Sequence, residues 1–409
     1  MRRLTRRNLL FLFGTTALAA CAPAASPTAA PKPAPAAAAA NPAEQPAGVP
    51  SADGRALLDG LVARAKQEGQ LITTVLPSWN RATTVPQLVD GFKKRFNLDI
   101  EVVLTPNAAA AYIPKAMAET SAGTPPTYDV FVSSEVELAQ LLGAKGVLPI
   151  ENWQALLPAV NPDVASGRIA ADVVSPGMLS GYGLVAGGGA VGGIVYNPRV
   201  ISKDELPRTR ADLANPKYKE KFAQPPWTTY WDIAPAVDPN FDENKWLELV
   251  RAAGQNTGAV VTSADGMQRV LLGQYGFVLG AEADYRRSLA RDPNAPVGLA
   301  WWDDFNVVTV MVYSIRVGTS HPAAATLWAL WMTTPEAEAI WQPNELGITI
   351  YDSRNFGPSE IDKQVAQLAE GVKRVSFLDN AQAEKTLAWY ATPDGARYAA
   401  ALAKAIRGE

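Results

Sequence analysis

The chain has 409 residues, with 37 Lys and Arg against 40 Asp and Glu, one His and one Cys. A formal net charge of -3 excludes the globally basic surface that nucleic-acid binding needs, and the single Cys and single His exclude an internal disulfide and a multi-histidine zinc site. The long charge-free apolar run at the N-terminus is too short to span a bilayer, which excludes a polytopic membrane protein.

Residues 1–20 are predicted to be a signal peptide, because they carry four Arg, no acidic residue and an apolar core from Leu9 to Ala20. The run from Thr5 to Leu10 resembles the twin-arginine export motif, and export by the general secretory route stays open. Leu18 to Cys21 resembles the lipobox of bacterial lipoproteins, which implies lipidation of Cys21. The alternative is a small buried cysteine.

Residues 21–50 are predicted to be the lipidated Cys21 followed by an extended tether. Positions 22–50 hold 13 Ala and 8 Pro, and their charged residues are Lys32 and Glu44. Such a composition cannot bury a core. We therefore expect a globular body held near a membrane surface, outside the cytoplasm.

The first part of the body alternates helices and strands. Its predicted helices cover 55–68, 85–96 after a Thr84 cap, 108–121 and 135–142, and its predicted strands cover 71–76, 98–104 and 128–132. This alternation predicts a mainly parallel sheet flanked by helices.

The pattern repeats after a Gly-rich passage. Predicted strands cover 191–196, 259–262, 276–279, 297–300 and 306–313, and predicted helices cover 243–253, 265–272, 281–290, 322–332, 335–341, 362–368 and 393–406. In the last helix, Thr392 and Pro393 occupy the cap and first-turn positions. Trp328 and Trp331 are predicted to be packing residues, because they lie at core spacing on a helix.

These elements predict an α/β protein with two lobes. The first lobe is expected to comprise 51–180 plus 305–409, and the second 185–300, with a hinge at 179–193. Because open α/β sheets bind ligands beyond the carboxyl ends of their strands, we expect a binding cleft between the lobes.

Several segments resemble the extracellular solute-binding proteins of ABC transporters, in particular the group that includes ferric-iron, thiamine and phosphonate binders. The resembling segments are 128–131, 146–148, 193–198, 206–207, 210–213, 216–219 and 321–325. The resemblance implies the type II-like periplasmic-binding-protein fold. It also implies a protein that captures a small solute by closing its lobes.

The resemblance implies ligand contacts from two loops of the first lobe and two segments of the second. In this sequence they are Ser78, Trp79, Asn80, Arg81, Ser133, Ser134, Glu135, Thr228, Tyr230, Trp231, Asp284 and Tyr285. Hydroxyl and amide groups can donate and accept hydrogen bonds, and aromatic faces can hold a ring or a cation. This set favours an organic solute and predicts no cofactor.

The alternative ligand is a ferric ion, held by Glu135, Asp284 and Tyr285. The tyrosine pair and histidine that are typical of the iron-binding relatives are not reproduced here. The one histidine, His321, falls at a helix start and has no evident partner in the sequence.

The second alternative is an envelope hydrolase. No G-x-S-x-G elbow is present, and no Cys remains for catalysis once Cys21 is lipidated. A pair formed by Glu135 and Asp284 across the cleft stays open as a glycosidase arrangement. We therefore predict a non-enzyme with no catalytic residue.

The sequence and its resemblance together predict a monomeric lipoprotein of the cell envelope, anchored in the membrane through Cys21. Its expected partners are a small solute, an ABC transporter permease and the ATPase subunit of that permease, with no nucleic acid.

Overall fold

The structure is a computed structural model that describes residues 54–76, 82–106, 109–186, 190–345, 359–377 and 381–409. The described residues all belong to one compact unit within 51–409. Within the described residues, no helix combines the length and the apolar character needed to cross a membrane.

The first half of the body begins with a helix and continues through five strands. In chain order its elements are α1 Gly54–Glu68, β1 Gln70–Val75, α2 Thr84–Phe96, β2 Glu101–Pro106, α3 Ala109–Ala122, β3 Val130–Ser133, α4 Glu135–Gly143, β4 Val147–Leu148, α5 Trp153–Val160, α6 Pro162–Ala165, α7 Ala171–Val174 and β5 Leu184–Val185.

The second half contains the remaining eight strands of the described chain. Its elements are β6 Ala190–Tyr196, β7 Phe222–Gln224, α8 Ala234–Val237, α9 Glu243–Asn256, β8 Ala259–Val260, α10 Ser263–Leu271, β9 Phe277–Ala281, α11 Glu282–Arg291, β10 Gly298–Ala300, β11 Asn306–Thr309, β12 Val312–Arg316, α12 Pro322–Met332, α13 Pro335–Glu345, α14 Glu360–Leu368, β13 Arg374–Val375, α15 Ala381–Tyr390 and α16 Pro393–Ala405. Short 3₁₀ turns lie at 177–179, 203–205, 210–214 and 216–218.

Two sheets organise the body. The first has the order β2-β1-β3-β12-β4, with β5 also paired to β12, and the second has the order β13-β11-β6-β9-β7-β8, with β10 also paired to β6. In the first sheet β12 runs antiparallel to β3, β4 and β5. In the second sheet β6 runs antiparallel to β9, β10 and β11. The other described pairings are parallel.

The two antiparallel strands mark where the chain crosses between the sheets. It leaves the first sheet after β5 and enters the second at β6, and it returns from β11 to β12. Val185 pairs with Val312 on one side of this crossing, and Val191 pairs with Val308 on the other. Ala186 N also donates to Met311 O at 3.0 Å. On both sides of the crossing, the described residues of the outgoing and returning chain are therefore antiparallel neighbours.

The C-terminal helices pack differently from the expectation that 305–409 joins the first lobe. Strands β11 and β13 belong to the second sheet, α14 contacts α11, and α16 contacts α9. Helix α15 contacts α8 and α16, and it also contacts α4 beside the first sheet. A helix that adds no new strand can pack on either sheet. The order of the helices in the sequence therefore does not determine which lobe they join. We propose a first lobe of 54–185 plus 312–345 and a second lobe of 190–309 plus 359–409.

Helix α12 is apolar along most of its length because it packs inside the core of the first lobe. Trp328 and Trp331 are fully buried, and their rings contact Phe92 of α2 at centroid distances of 5.1 and 5.8 Å. This confirms their prediction as packing residues. Helix α16 begins as the sequence predicts, because the Thr392 side chain accepts a hydrogen bond from Gly395 N and Pro393 follows it.

Candidate functional site

The first part of the candidate site lies at the carboxyl end of β3. Ser133 ends this strand, and Ser134 caps α4. The Glu137 carboxylate accepts hydrogen bonds from Ser134 N at 2.9 Å and from Ser134 Oγ at 3.0 Å. The Ser133 hydroxyl is buried and has no hydrogen-bond partner among the described residues. Because Glu135 is the first residue of α4, this capping box fixes where its buried carboxyl group enters the site.

The second part follows β7 in the second lobe. Trp231 N and Asp232 N both donate to Thr228 O, at 2.7 and 3.0 Å, and Thr228 Oγ1 donates to Asp232 Oδ2 at 3.1 Å. These bonds close residues 228–232 into a compact turn, which we call the cleft turn. Its Thr228 is half-buried, whereas Tyr230 and Trp231 are buried and belong to the second-lobe core.

Helix α4 and the cleft turn meet across the two lobes. Val136 of α4 shares a core cluster with Trp231 and Ile233, which flank Asp232. Burial, followed by repulsion from the neighbouring Glu135 charge, raises the pKa of Asp232 well above its usual value. Burial also raises the pKa of Glu137. Both shifts favour the neutral form of Asp232 and Glu137, in which a carboxyl group can donate a hydrogen bond.

Arg210 supports the cleft turn from behind. Its Nε donates to Tyr230 O at 2.9 Å, and its Nη1 donates to Asp304 Oδ1 and Phe305 O, each at 2.7 Å. Burial lowers the pKa of Arg210 to about 10, although the ion pair with Asp304 opposes this shift. The sequence analysis did not identify this role, because the contacts join residues about 20 and 95 positions apart in the chain.

Asp284 and Tyr285 are engaged inside the second lobe. Asp284 Oδ2 accepts from Ala281 N at 3.1 Å, and Asp284 Oδ1 pairs with Arg287 at 2.7 Å. Tyr285 lies in a core cluster of the second lobe, where burial raises its pKa. Within the part of the chain that the structure describes, no group of three or more Asp, Glu, His or Cys residues is placed to hold a metal ion.

Glu282, one turn earlier on α11, was not singled out from the sequence. Its Oε2 accepts from Val191 N at 2.5 Å, so it binds the strand that follows the crossing. Burial raises the pKa of Glu282 to about 7, and the charge of Arg286, with Nη1 at 4.0 Å from Oε1, opposes this shift. A sequence carries no local sign of such a contact, because Val191 lies 91 positions away.

His321 has a partner that the sequence did not reveal. Its Nδ1 lies 3.0 Å from Asp129 Oδ2, and the same aspartate accepts from Thr319 Oγ1 and Ile72 N. No local pattern indicates this pairing, because Asp129 lies 192 positions from His321 in the chain. The contacts join the start of α12 to the central strands of the first lobe, which is a structural role.

Five of the predicted site residues cannot be placed. Residues Ser78, Trp79, Asn80, Arg81 and Cys21 lie outside the described residues. Of the other candidates, Glu135 lies close enough to the cleft turn, which contains Thr228, Tyr230 and Trp231, for its charge to act on Asp232. Ser133 and Ser134 directly precede Glu135 in the chain.

This arrangement agrees with a comparison of the sequence with known families. Residues 87–346 match a family described as bacterial extracellular solute-binding protein. The chain belongs to this family. The two-lobed α/β fold predicted for this solute-binding protein is confirmed by solved structures that resemble it along most of its length.

Three of these structures illustrate the range of the fold. Iron-bound HitA from Pseudomonas aeruginosa is 14% identical, with a TM-score of 0.60 over 82% of this chain and 99% of that one. AfuA from Actinobacillus pleuropneumoniae, with fructose-6-phosphate bound, is 16% identical, with a TM-score of 0.60 over 83% and 96%. A putative spermidine/putrescine ABC transporter from Listeria monocytogenes is 14% identical, with a TM-score of 0.57 over 79% and 98%. The search of curated proteins found no match.

Proposed function

We propose that this chain is the substrate-binding lipoprotein of an ABC importer, which captures a small organic solute between its lobes and delivers it to a membrane permease and its ATPase subunit. The observation that carries the proposal is the approach of the start of α4 to the cleft turn of the other lobe. Val136 shares a core cluster with Trp231, and the charge of Glu135 acts on Asp232. A solute that contacts both segments stabilises the closed form by its differential contacts.

An organic solute is favoured over a ferric ion because two of the residues that would bind the ion already contact other parts of the protein. Asp284 is held by Ala281 N and Arg287, and Tyr285 is packed in the second-lobe core. A metal site from these residues and Glu135 would require both side chains to leave their partners. The half-buried Thr228 and the buried, unpartnered Ser133 hydroxyl are instead suited to hydrogen bonding with an organic molecule.

A binding role is also favoured over hydrolysis. The Asp284 carboxylate is committed to a helix cap and an arginine, so it is not free to form a catalytic pair with Glu135. Incubation with a panel of glycosides tests this point, because a binding protein saturates without releasing product.

The envelope location rests on the first 50 residues and on the extracellular family. We expect a monomer that is anchored through Cys21 and separated from the membrane by residues 22–50. Replacing the cysteine by Cys21→Ser should move the chain from the membrane fraction to the soluble fraction. An unchanged membrane fraction would contradict the lipid anchor.

A thermal-shift panel of amines, sugar phosphates, organic acids and ferric citrate tests the binding role on the full chain. For a compound that raises the melting temperature, Trp79→Ala should lower affinity with little loss of stability. The control is Tyr275→Ala, which removes an aromatic side chain from the opposite, amino end of β9. Equal affinity in the Trp79 variant and the wild type would contradict the proposed cleft.

A further inference from the structure

Arg210 makes more contacts than a simple ion pair requires. Its side chain is 2% exposed, and its guanidinium group contacts two main-chain carbonyls as well as the Asp304 carboxylate. The group also stacks on the Phe305 ring, with Cζ 3.8 Å from the ring centroid. Burying a guanidinium is costly unless its donors are paired. Here Nε and Nη1 are paired, whereas Nη2 is buried without a hydrogen-bond partner among the described residues.

The two carbonyls belong to functionally different segments. Tyr230 lies in the middle of the cleft turn, whereas Phe305 comes immediately before β11, the strand that leads back across to the first lobe. Arg210 N also donates to Asp304 Oδ2 at 3.0 Å, which fixes the aspartate from a second side. One side chain thus joins the cleft turn to the start of β11, the strand that leads to the return crossing.

The chemistry of this link requires arginine. A guanidinium presents five donors in a rigid plane and stacks on aromatic rings, whereas a lysine ammonium is a compact charge on a flexible stem. Lysine can keep the ion pair with Asp304, but it cannot hold the Tyr230 carbonyl in the same fixed plane and also stack on Phe305.

We propose that Arg210 is a positioning residue for solute capture, which fixes the cleft turn against the start of β11 so that the turn moves together with β11 when the lobes close. This inference rests on the proposed function, because it assumes that the cleft turn contacts the solute.

Site-resolved hydrogen exchange of the full chain tests the inference in Arg210→Met and Arg210→Lys. The matched control is Arg316→Met, which removes a first-lobe arginine that is equally buried and bonded to Ala116 O and Thr120 Oγ1. Loss of hydrogen bonds to a charged group corresponds to about a tenfold or larger rise in exchange. We expect this rise at amides 228–232 and 306–309 in Arg210→Met, and not in Arg316→Met.

The lysine variant separates positioning from general stability. Exchange at 306–309 should return toward the wild-type rate because the Asp304 pair is kept, while exchange at 228–232 stays raised. Wild-type exchange at 228–232 in Arg210→Met, or an equal rise in both regions in Arg316→Met, would overturn the proposal.

Native mass spectrometry of the same samples separates this inference from the proposed function. Wild-type protein that neither retains nor gains mass with any compound of the panel would count against solute binding and leave the exchange result intact. Wild type and Arg210→Met that hold the same compound with equal occupancy and equal dissociation rate would overturn the positioning role.

Discussion

The ring of Tyr230 lies directly against Gly192. A β-carbon built at Gly192 would be 2.5 Å from Tyr230 Cδ1, a distance at which the ring would have to move. Gly192 belongs to β6, two residues after that strand begins, and Tyr230 belongs to the cleft turn. Strand β6, which follows the first crossing, and the cleft turn therefore touch each other, and the contact requires glycine.

Replacing this glycine by Gly192→Ala should displace the Tyr230 ring and destabilise the fold by about 1–3 kcal/mol, the usual cost of overpacking a core. The free energy of unfolding, measured with urea, checks this. The control Gly60→Ala lies in α1, where an added methyl group meets no atom within 4 Å. The control should stabilise the protein by up to about 1 kcal/mol through helix propensity. Equal effects of the two substitutions would contradict the contact.

Helix α4 is held against the end of α15 at Gly143. A β-carbon at Gly143 would overlap the main-chain carbonyl of Ala391, which cannot turn aside as a side chain can. Gly143→Ala should therefore destabilise the protein by about 3 kcal/mol or more, because it separates two packed elements. Differential scanning calorimetry measures the loss. A melting temperature within about 1–2 °C of the wild-type value would show that the two elements are not in contact.

Stability should depend on pH through Glu282. Since burial raises its pKa to about 7, the folded state binds more protons than the unfolded state between the ordinary value of 4.5 and about 7. The contribution is thus fully present below pH 4.5 and is lost as the pH rises through 7. Urea unfolding from pH 5 to 8 should show that Glu282→Gln, which stays neutral and can still accept from Val191 N, loses about 2 kcal/mol less than the wild type.

The control for this series is Glu205→Gln. Glu205 is exposed, and hydrogen bonds from Ser202 lower its pKa, so its charge does not change between pH 5 and 8. The unfolding free energy of this variant should change with pH as steeply as that of the wild type. If the unfolding free energy of Glu282→Gln changes with pH as steeply as that of the wild type, Glu282 is not buried in its neutral form.

The fold was largely predictable because hydrophobic periodicity follows burial. The strand predicted at 71–76 is β1 at 70–75, and the helix predicted at 281–290 is α11 at 282–291. The run 306–313 shows what periodicity misses. It was predicted as one strand, whereas it forms β11 and β12 in different sheets, with the return crossing at residues 310–311. Both halves are buried β-formers, so the sequence contains no break at that point.

The candidate site was less predictable, since it depends on contacts between distant segments. The family resemblance pointed to 133–135 and 228–231, but it could not show that Trp231 packs in the core or that Asp284 caps its own helix. Arg210 and Glu282 act through Tyr230 O and Val191 N, which are main-chain atoms that no residue pattern specifies.

The most direct test of the account is native mass spectrometry and metal analysis of the full chain, before and after mild denaturation. Capture of an organic solute predicts about one equivalent of an organic compound, released on unfolding, or an empty protein that gains one equivalent from the solute panel. About one equivalent of bound iron, with colour lost on adding a chelator, would contradict the organic solute and assign Glu135, Asp284 and Tyr285 as ligands. A chain that binds neither would contradict solute capture itself.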